Sequence, residues 1–247
     1  MQLRAVLFDV GDTLWHAPRP PAASVFRKLA AERAAAFLAA SGLPSADPAL
    51  LSRVAWDAME EAMRTARATD RKEPDYAAVA RAAAASAGIA LGYAQAAALL
   101  DAIYVSGGEG GKVAFPGARA TLLELRNRGF LLGIVTNRAF GGDRFRTDLQ
   151  ELDLDIGWDA VSVSVEVGFL KPHPALFEHA LAALEVAPGE TLMVGNSLVE
   201  DVAGAQALGM AAAWKRCRPD AEGVRPDFVF DDVAGLLRWP PLKEASR

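Results

Sequence analysis

Five residues whose types could do chemistry follow closely on short apolar runs. Asp9 ends Ala5-Val6-Leu7-Phe8, and Thr136-Asn137 end the run over 131–135. Asn196 follows Leu192-Met193-Val194-Gly195, and Lys171 lies just beyond Glu166, which ends a serine-alternating run over 161–165. A carboxylate, a hydroxyl, amides and an ammonium converging on one crevice would suit an oxyanion such as phosphate. Each residue alone is ordinary. An aspartate after a strand usually caps a turn, and a single lysine is usually solvated. Their order and spacing give them weight.

The elements that must position these groups are legible from periodicity. Continuous apolar runs of this length read as strands buried on both faces, hence a parallel sheet covered by helices. The segment 118–128 carries Leu122, Leu123 and Leu125 and is closed by Gly129, so it reads as a helix. So do 174–184, with Leu176, Phe177, Ala180, Leu181 and Leu184 at helical spacing, and 199–208, stopped by Gly209. Strand and helix alternate, which predicts an α/β fold. The runs 211–214 and 228–230 are candidates to extend the sheet. In an open parallel sheet ligands bind beyond the carboxyl ends of the strands, where the polar residues above stand.

Residues 15–112 read differently, with no convincing strand. Phe26, Leu29, Ala30, Ala34, Phe37 and Leu38 form one helical face; Leu51, Val54, Ala55, Ala58, Met59, Ala62 and Met63 form a second. A third holds Tyr76, Val79, Ala80, Ala83 and Ala84, and a fourth Leu99, Leu100, Ile103 and Tyr104. The expectation is an alanine-rich helical insert at 15–112 in a core made of 1–14 and 113–247. Met59 and Met63 read as core filler, with Trp56 packed beside them. Gly107-Gly108-Glu109-Gly110-Gly111 reads as a flexible return rather than a phosphate loop, since no Lys-Ser/Thr follows and no strand precedes.

Composition sets the outer bounds. The chain has 247 residues, enough for one or two domains with a sizeable core. With 52% hydrophobic residues and a net charge of -5, extensive disorder is excluded, and a nucleic-acid footprint finds no basic stripe. No apolar run approaches a membrane span, and the amino end runs into the first strand without a signal-peptide pattern, so a cytoplasmic protein is expected. One cysteine, Cys217, excludes an internal disulfide framework and a thiolate zinc site, and reads as a small, partly buried thiol.

Four segments together resemble the haloacid dehalogenase-like hydrolases. Phe8-Asp9-Val10-Gly11-Asp12-Thr13-Leu14 resembles the first motif and Ile134-Val135-Thr136-Asn137 the second. Gly168-Phe169-Leu170-Lys171-Pro172-His173-Pro174 is similar to the third, and the run from Val194-Gly195-Asn196-Ser197 through Glu200-Asp201 to Ala205 to the fourth. The resemblance implies a Rossmann-like parallel sheet with helices on both faces, plus an α-helical cap of the family's first type. It implies that Asp9 is a nucleophile taking up a phosphoryl group, or a haloacid's alkyl group, as an aspartyl ester. Thr136 and Asn137 would bind the oxyanion, and Lys171 would hold Asp9 and the phosphoryl oxygens together. Mg²⁺ would be held by Asp9, the Gly11 carbonyl and the fourth motif, through Asn196 with Asp201 in support. The substrate class implied is a small phosphorylated metabolite. Trp15, His16, Arg19 and Arg138 are candidate substrate contacts, while His173 and His179 read as a loop residue and a surface residue.

Two departures from the family pattern matter. Family phosphatases carry a second aspartate two residues after the nucleophile; here that position is Gly11. Losing a general acid or base is worth about a hundred- to ten-thousand-fold in rate. Asp12 is the nearest replacement by sequence, with a turn cap as its alternative role. Asn196 stands where a metal-binding aspartate is usual, and Glu200 is expected to face solvent. These departures keep open a dehalogenase-type hydrolase and a binding or regulatory protein that retains the fold.

Overall fold

The computed structural model describes residues 2–43, 46–217 and 223–243. The chain divides into two compact units, one of residues 1–18 and 112–247, the other of residues 19–111.

The first unit is built on a parallel sheet. Its strands are β1 (Ala5–Phe8), β4 (Leu131–Thr136), β5 (Ala160–Val163), β6 (Thr191–Gly195), β7 (Ala211–Lys215) and β8 (Phe228–Phe230), in the order β5-β4-β1-β6-β7-β8. β1 shows why the run is continuous rather than alternating. Val6 and Phe8 pack into one hydrophobic cluster with Leu122, Phe145 and Leu236, while Ala5 and Leu7 pack into another with Leu176, Phe177 and Leu181. Successive side chains point to opposite faces, and both faces are covered by helices. One face carries α5 (Ala118–Asn127) and α6 (Gly142–Glu151), and the other α8 (Pro174–Leu184). Both later runs, 211–214 and 228–230, do join the sheet.

Strand order reverses at β1. The chain goes from β1 to β4 and β5 on one side, then crosses to β6, β7 and β8 on the other. The crevice at the carboxyl end of β1 is therefore the switch point of the sheet. Phe8 is level with Ile134 of β4 and Val194 of β6, so Asp9, Thr136 and Asn196 leave the same edge.

Three boundaries differ from the sequence reading. The run 161–165 does not stay extended: β5 stops at Val163, and Ser164–Val167 forms a single helical turn, α7. The segment 199–208 is a π-helical turn, Leu198–Ala203, continued by the short α9, Gly204–Ala207. Trp15–His16 form a strand, β2, antiparallel to Val113–Ala114, β3. That pairing fastens residues 15–18 to the first unit rather than to the helical insert.

The second unit holds α1 (Ala23–Ala40), α2 (Pro48–Ala68), α3 (Tyr76–Ser86) and α4 (Tyr93–Ile103). Asp47 and Asp75 accept backbone N–H bonds at the starts of α2 and α3, the usual means of satisfying a helix's first donors. Met59 is buried, whereas Met63 and Trp56 are half-buried, and Trp56 lines a cleft between α1 and α2. The glycine-rich segment is anchored rather than loose. The Arg33 guanidinium donates to the Tyr104 carbonyl and pairs with Glu109 at 2.5 Å, and Glu109 accepts the Ser106 N–H at 3.0 Å.

Candidate active site

Lys171 organises the crevice. Its side chain is buried, and its ammonium donates to Asp9 Oδ1 at 2.8 Å, Asp201 Oδ1 at 2.7 Å and the Val135 carbonyl at 2.7 Å. An ammonium has three protons, so one group ties β1, β4 and the helical turn after β6 together. Burial disfavours its charged form, but the carboxylates of Asp201 and Asp9 outweigh burial and raise its pKa above the ordinary lysine value.

Asp201 is the counterweight. It is buried, its Oδ1 accepts from Lys171, and its Oδ2 accepts the Ser197 N–H at 2.8 Å. Burial pushes its pKa up to about 6; Lys171 pulls the other way, and the Asp9 carboxylate adds to the rise. Its carboxylate packs directly over Gly195, where a Cβ would fall 2.2 Å from Asp201 Cγ. Only glycine leaves room for that approach.

Asp9 is 8% exposed. Its Oδ1 takes Lys171 and a long contact from Thr136 Oγ1 at 3.5 Å, and its Oδ2 accepts from Thr13 Oγ1 at 3.1 Å. A carboxylate held on both oxygens by donors is fixed in direction. Asn137 acts on the backbone. Its Oδ1 accepts the Lys171 N–H at 2.7 Å and its Nδ2 reaches Glu200 Oε2 at 3.3 Å. Glu200 therefore joins the site, contrary to the solvent-facing expectation.

The remaining candidates are distributed differently. Trp15 is buried in the core cluster, with Lys112 and Arg138 over its ring at 5.1 and 5.3 Å. Arg138 pairs with fully buried Asp148 at 2.5 Å, so its guanidinium has a structural counter-ion. His16 stacks on Phe115 at 4.0 Å, and Arg19 is exposed in the second unit. His173 caps α8, and His179 Nδ1 lies 2.7 Å from Ser162 Oγ. Asp12 is exposed and left-handed, with φ 55°, and its carbonyl accepts from Lys215 at 3.1 Å. Cys217 is exposed, not partly buried, with its sulfur 3.5 Å from Asn196 Nδ2. Sequence reasoning passed over Thr13, Ser197 and Lys215. Lys215 had a visible signal, a lysine closing the apolar run Ala211-Ala212-Ala213-Trp214 at the active edge.

The donor set tests the implied metal. Asp9, the Gly11 carbonyl and the Asn196 amide are hard oxygen donors; both oxygens of Asp201, like both of Asp9, already accept a hydrogen bond, and each keeps a further lone pair. Among the described residues no three His, Cys, Asp or Glu side chains cluster as a metal site. One carboxylate with neutral oxygens fits a magnesium ion that keeps waters and gains oxygens from a bound phosphate.

The description haloacid dehalogenase-like hydrolase matches residues 3–209. The chain belongs to that family. This hydrolase is 40% identical over 129 residues to a glyceraldehyde 3-phosphate phosphatase of Pyrococcus furiosus, covering 49% of this chain and 52% of that protein. It is 39% identical over 121 residues to a phosphoserine phosphatase of Thermus thermophilus, covering 48% of each. The match thus spans about half the length of these curated relatives. The fold is shared along nearly the whole chain with a 2-haloacid dehalogenase from Pseudomonas syringae, at TM-score 0.63 and 23% identity over 95% of this chain and 96% of that one. A phosphatase of the family from Thermococcus onnurineus gives TM-score 0.59 and 24% identity over 95% and 96%. Among the described residues no helix is long and apolar enough to cross a membrane.

Proposed function

We propose that this hydrolase is a phosphatase that cleaves a small phosphomonoester through an aspartyl-phosphate at Asp9. The observation that supports it most is the Asp9–Lys171–Asp201 chain, with contacts of 2.8 and 2.7 Å. A buried ammonium shared by two carboxylates sets the nucleophile and offsets the repulsion between Asp9 and an incoming phosphoryl dianion. The phosphatase names of the curated relatives agree with it.

In this reading the Asp9 carboxylate attacks phosphorus, and the bond to the leaving oxygen breaks. Thr136 binds a phosphoryl oxygen and Lys171, its three protons engaged by Asp9, Asp201 and the Val135 carbonyl, acts on the phosphoryl group through its charge, while Asn137 keeps the Lys171 peptide in place. Water then attacks the aspartyl-phosphate and restores the carboxylate, so one hard displacement becomes two easier ones. Asp9, the Gly11 carbonyl and Asn196 would hold magnesium, which would supply positive charge against the phosphoryl oxygens. The substrate is a small phosphorylated metabolite and the setting cytoplasmic.

The test is phosphate release from a panel of phosphomonoesters that includes phosphoserine and glyceraldehyde 3-phosphate, with magnesium or with chelator. The expected result is magnesium-dependent release abolished by Asp9→Asn. Release unchanged in that variant overturns the reading. Metal-independent halide release from a 2-haloacid moves the assignment to dehalogenation, and ligand binding without turnover moves it to a regulatory role.

A further inference from the structure

Gly11 leaves this site without the side chain that would protonate a leaving group. A Cβ built at Gly11 meets nothing within 4 Å, so the space beside the nucleophile loop is open. The loop does have a proton-bearing group against it. Lys215, the last residue of β7, is 3% exposed and stands at the same sheet edge as Asp9 and Asn196, since Gly195 of β6 is level with Trp214. Its ammonium donates to the carbonyl of Asp12, the residue after Gly11, at 3.1 Å. It lies 3.6 Å from the centre of the Phe115 ring, and His16 stacks on that same ring at 4.0 Å. Both contacts are too close to share one face, so Phe115 separates the lysine from the histidine.

Among the described residues no carboxylate lies within ion-pair distance of Lys215. The carbonyl and the ring face satisfy part of an ammonium's three-proton capacity, and a donor is left to serve another acceptor. The charged and titratable groups facing it are Cys217, Asp12 and Asp231, the last paired with Arg216 at 2.9 Å, with His16 behind Phe115. Burial holds the Lys215 pKa below the ordinary lysine value, while those three groups pull it back up. A lowered pKa makes the ammonium a readier proton donor than an ordinary lysine.

We propose that Lys215 is the general acid and base of this site, working in the space that Gly11 leaves open, directly or through one water. The inference rests on the phosphatase reading above. As Asp9 bonds to phosphorus, the electron pair of the breaking P–O bond goes to the leaving oxygen, which takes a proton from the Lys215 ammonium. The amine so formed accepts a proton from the water that attacks the aspartyl-phosphate. The bond from phosphorus to Asp9 breaks, phosphate leaves, and both the carboxylate and the ammonium are restored.

Leaving-group dependence separates this role from a structural one. A simple alkyl phosphate such as glycerol phosphate needs its leaving oxygen protonated, whereas dinitrophenyl phosphate does not. Lys215→Met should lower kcat on the alkyl substrate by about a hundredfold or more and on the dinitrophenyl substrate by less than about tenfold. Lys215→Arg keeps the charge but cannot release its proton, so it should behave like Lys215→Met on the alkyl substrate. Adding Gly11→Asp to Lys215→Met should restore alkyl turnover, and the alkaline limb of the wild-type pH profile should be absent from Lys215→Met. Equal losses on both substrates, or full alkyl activity in Lys215→Arg, would overturn the assignment and leave the phosphatase reading standing. A wild type that cleaves neither ester overturns both.

Discussion

Gly195→Ala is a one-carbon change whose consequence can be worked from the site geometry. The added Cβ would stand 2.2 Å from both Cγ and Oδ2 of Asp201, and 2.4 Å from its Cβ. Ordinary contact begins at 3.4 Å, so something must move by the difference of 3.4 and 2.2, about 1.2 Å. The backbone of β6 is pinned between β1 and β7, so the movement falls on Asp201. That side chain is held by Lys171 at 2.7 Å and by the Ser197 N–H at 2.8 Å, and a shift of this size breaks at least one bond. Overpacking costs about 1–3 kcal/mol and a lost hydrogen bond to a charged group about 1.5–3 kcal/mol, which puts the variant about 2.5–6 kcal/mol below wild type. Urea unfolding of wild type, Gly195→Ala, Asp201→Ala and the double variant forms the assay. Asp201→Ala removes Cγ and Oδ2, two of the three atoms the new methyl strikes, so the double variant should lose at least about 1 kcal/mol less than the two single losses combined. Additive losses, or a Gly195→Ala cost under about 1 kcal/mol, would refute the claim that Asp201 is locked over Gly195.

Three further outcomes are expected. Gly11→Asp should fold with a stability change within about 0.5 kcal/mol, because its Cβ enters open space and the backbone there is not left-handed. Asn196→Asp should tighten magnesium binding to the free protein more than to the protein holding a phosphate mimic, as read by titration calorimetry, because phosphate already supplies charge in the second case. Glu109 has its pKa lowered from 4.5, first by the Ser106 N–H and then by Arg33, against the opposing effect of burial. Its contribution is thus complete above pH 4.5 and fades as pH falls through the lower folded value, so the urea midpoints of wild type and Glu109→Gln should converge in acid.

The sequence made the edge of the sheet legible because a strand buried on both faces must be apolar until it leaves the core. Asp9, Thr136 and Asn196 mark those exits, whereas the spatial order of the strands was not readable from the runs. What periodicity missed was short or irregular. Two-residue β2 is too brief to show alternation, and the turn from Ser164 to Val167 carries β-branched residues that read as strand. Partner choice within the site was also hidden. Nothing local tells that the Asn137 amide grips the Lys171 peptide, that Glu200 turns inward, or that Arg138 faces Asp148 across α6. Those contacts depend on which loops the folded sheet brings together. Lys215 was visible as a charge at the end of an apolar run but had no assigned chemistry until the fold set it against the Asp12 carbonyl.

If Asp9 carries the phosphoryl group, the phosphorylated protein itself can be trapped. The enzyme is mixed with a substrate labelled in its phosphate, quenched in acid within one turnover, and digested for mass spectrometry. Label should appear on the peptide that contains Asp9, be released by hydroxylamine as an acyl phosphate is, and be absent from Asp9→Asn. Steady turnover with no protein-bound label, or label on any other residue, would contradict phosphorylation at Asp9.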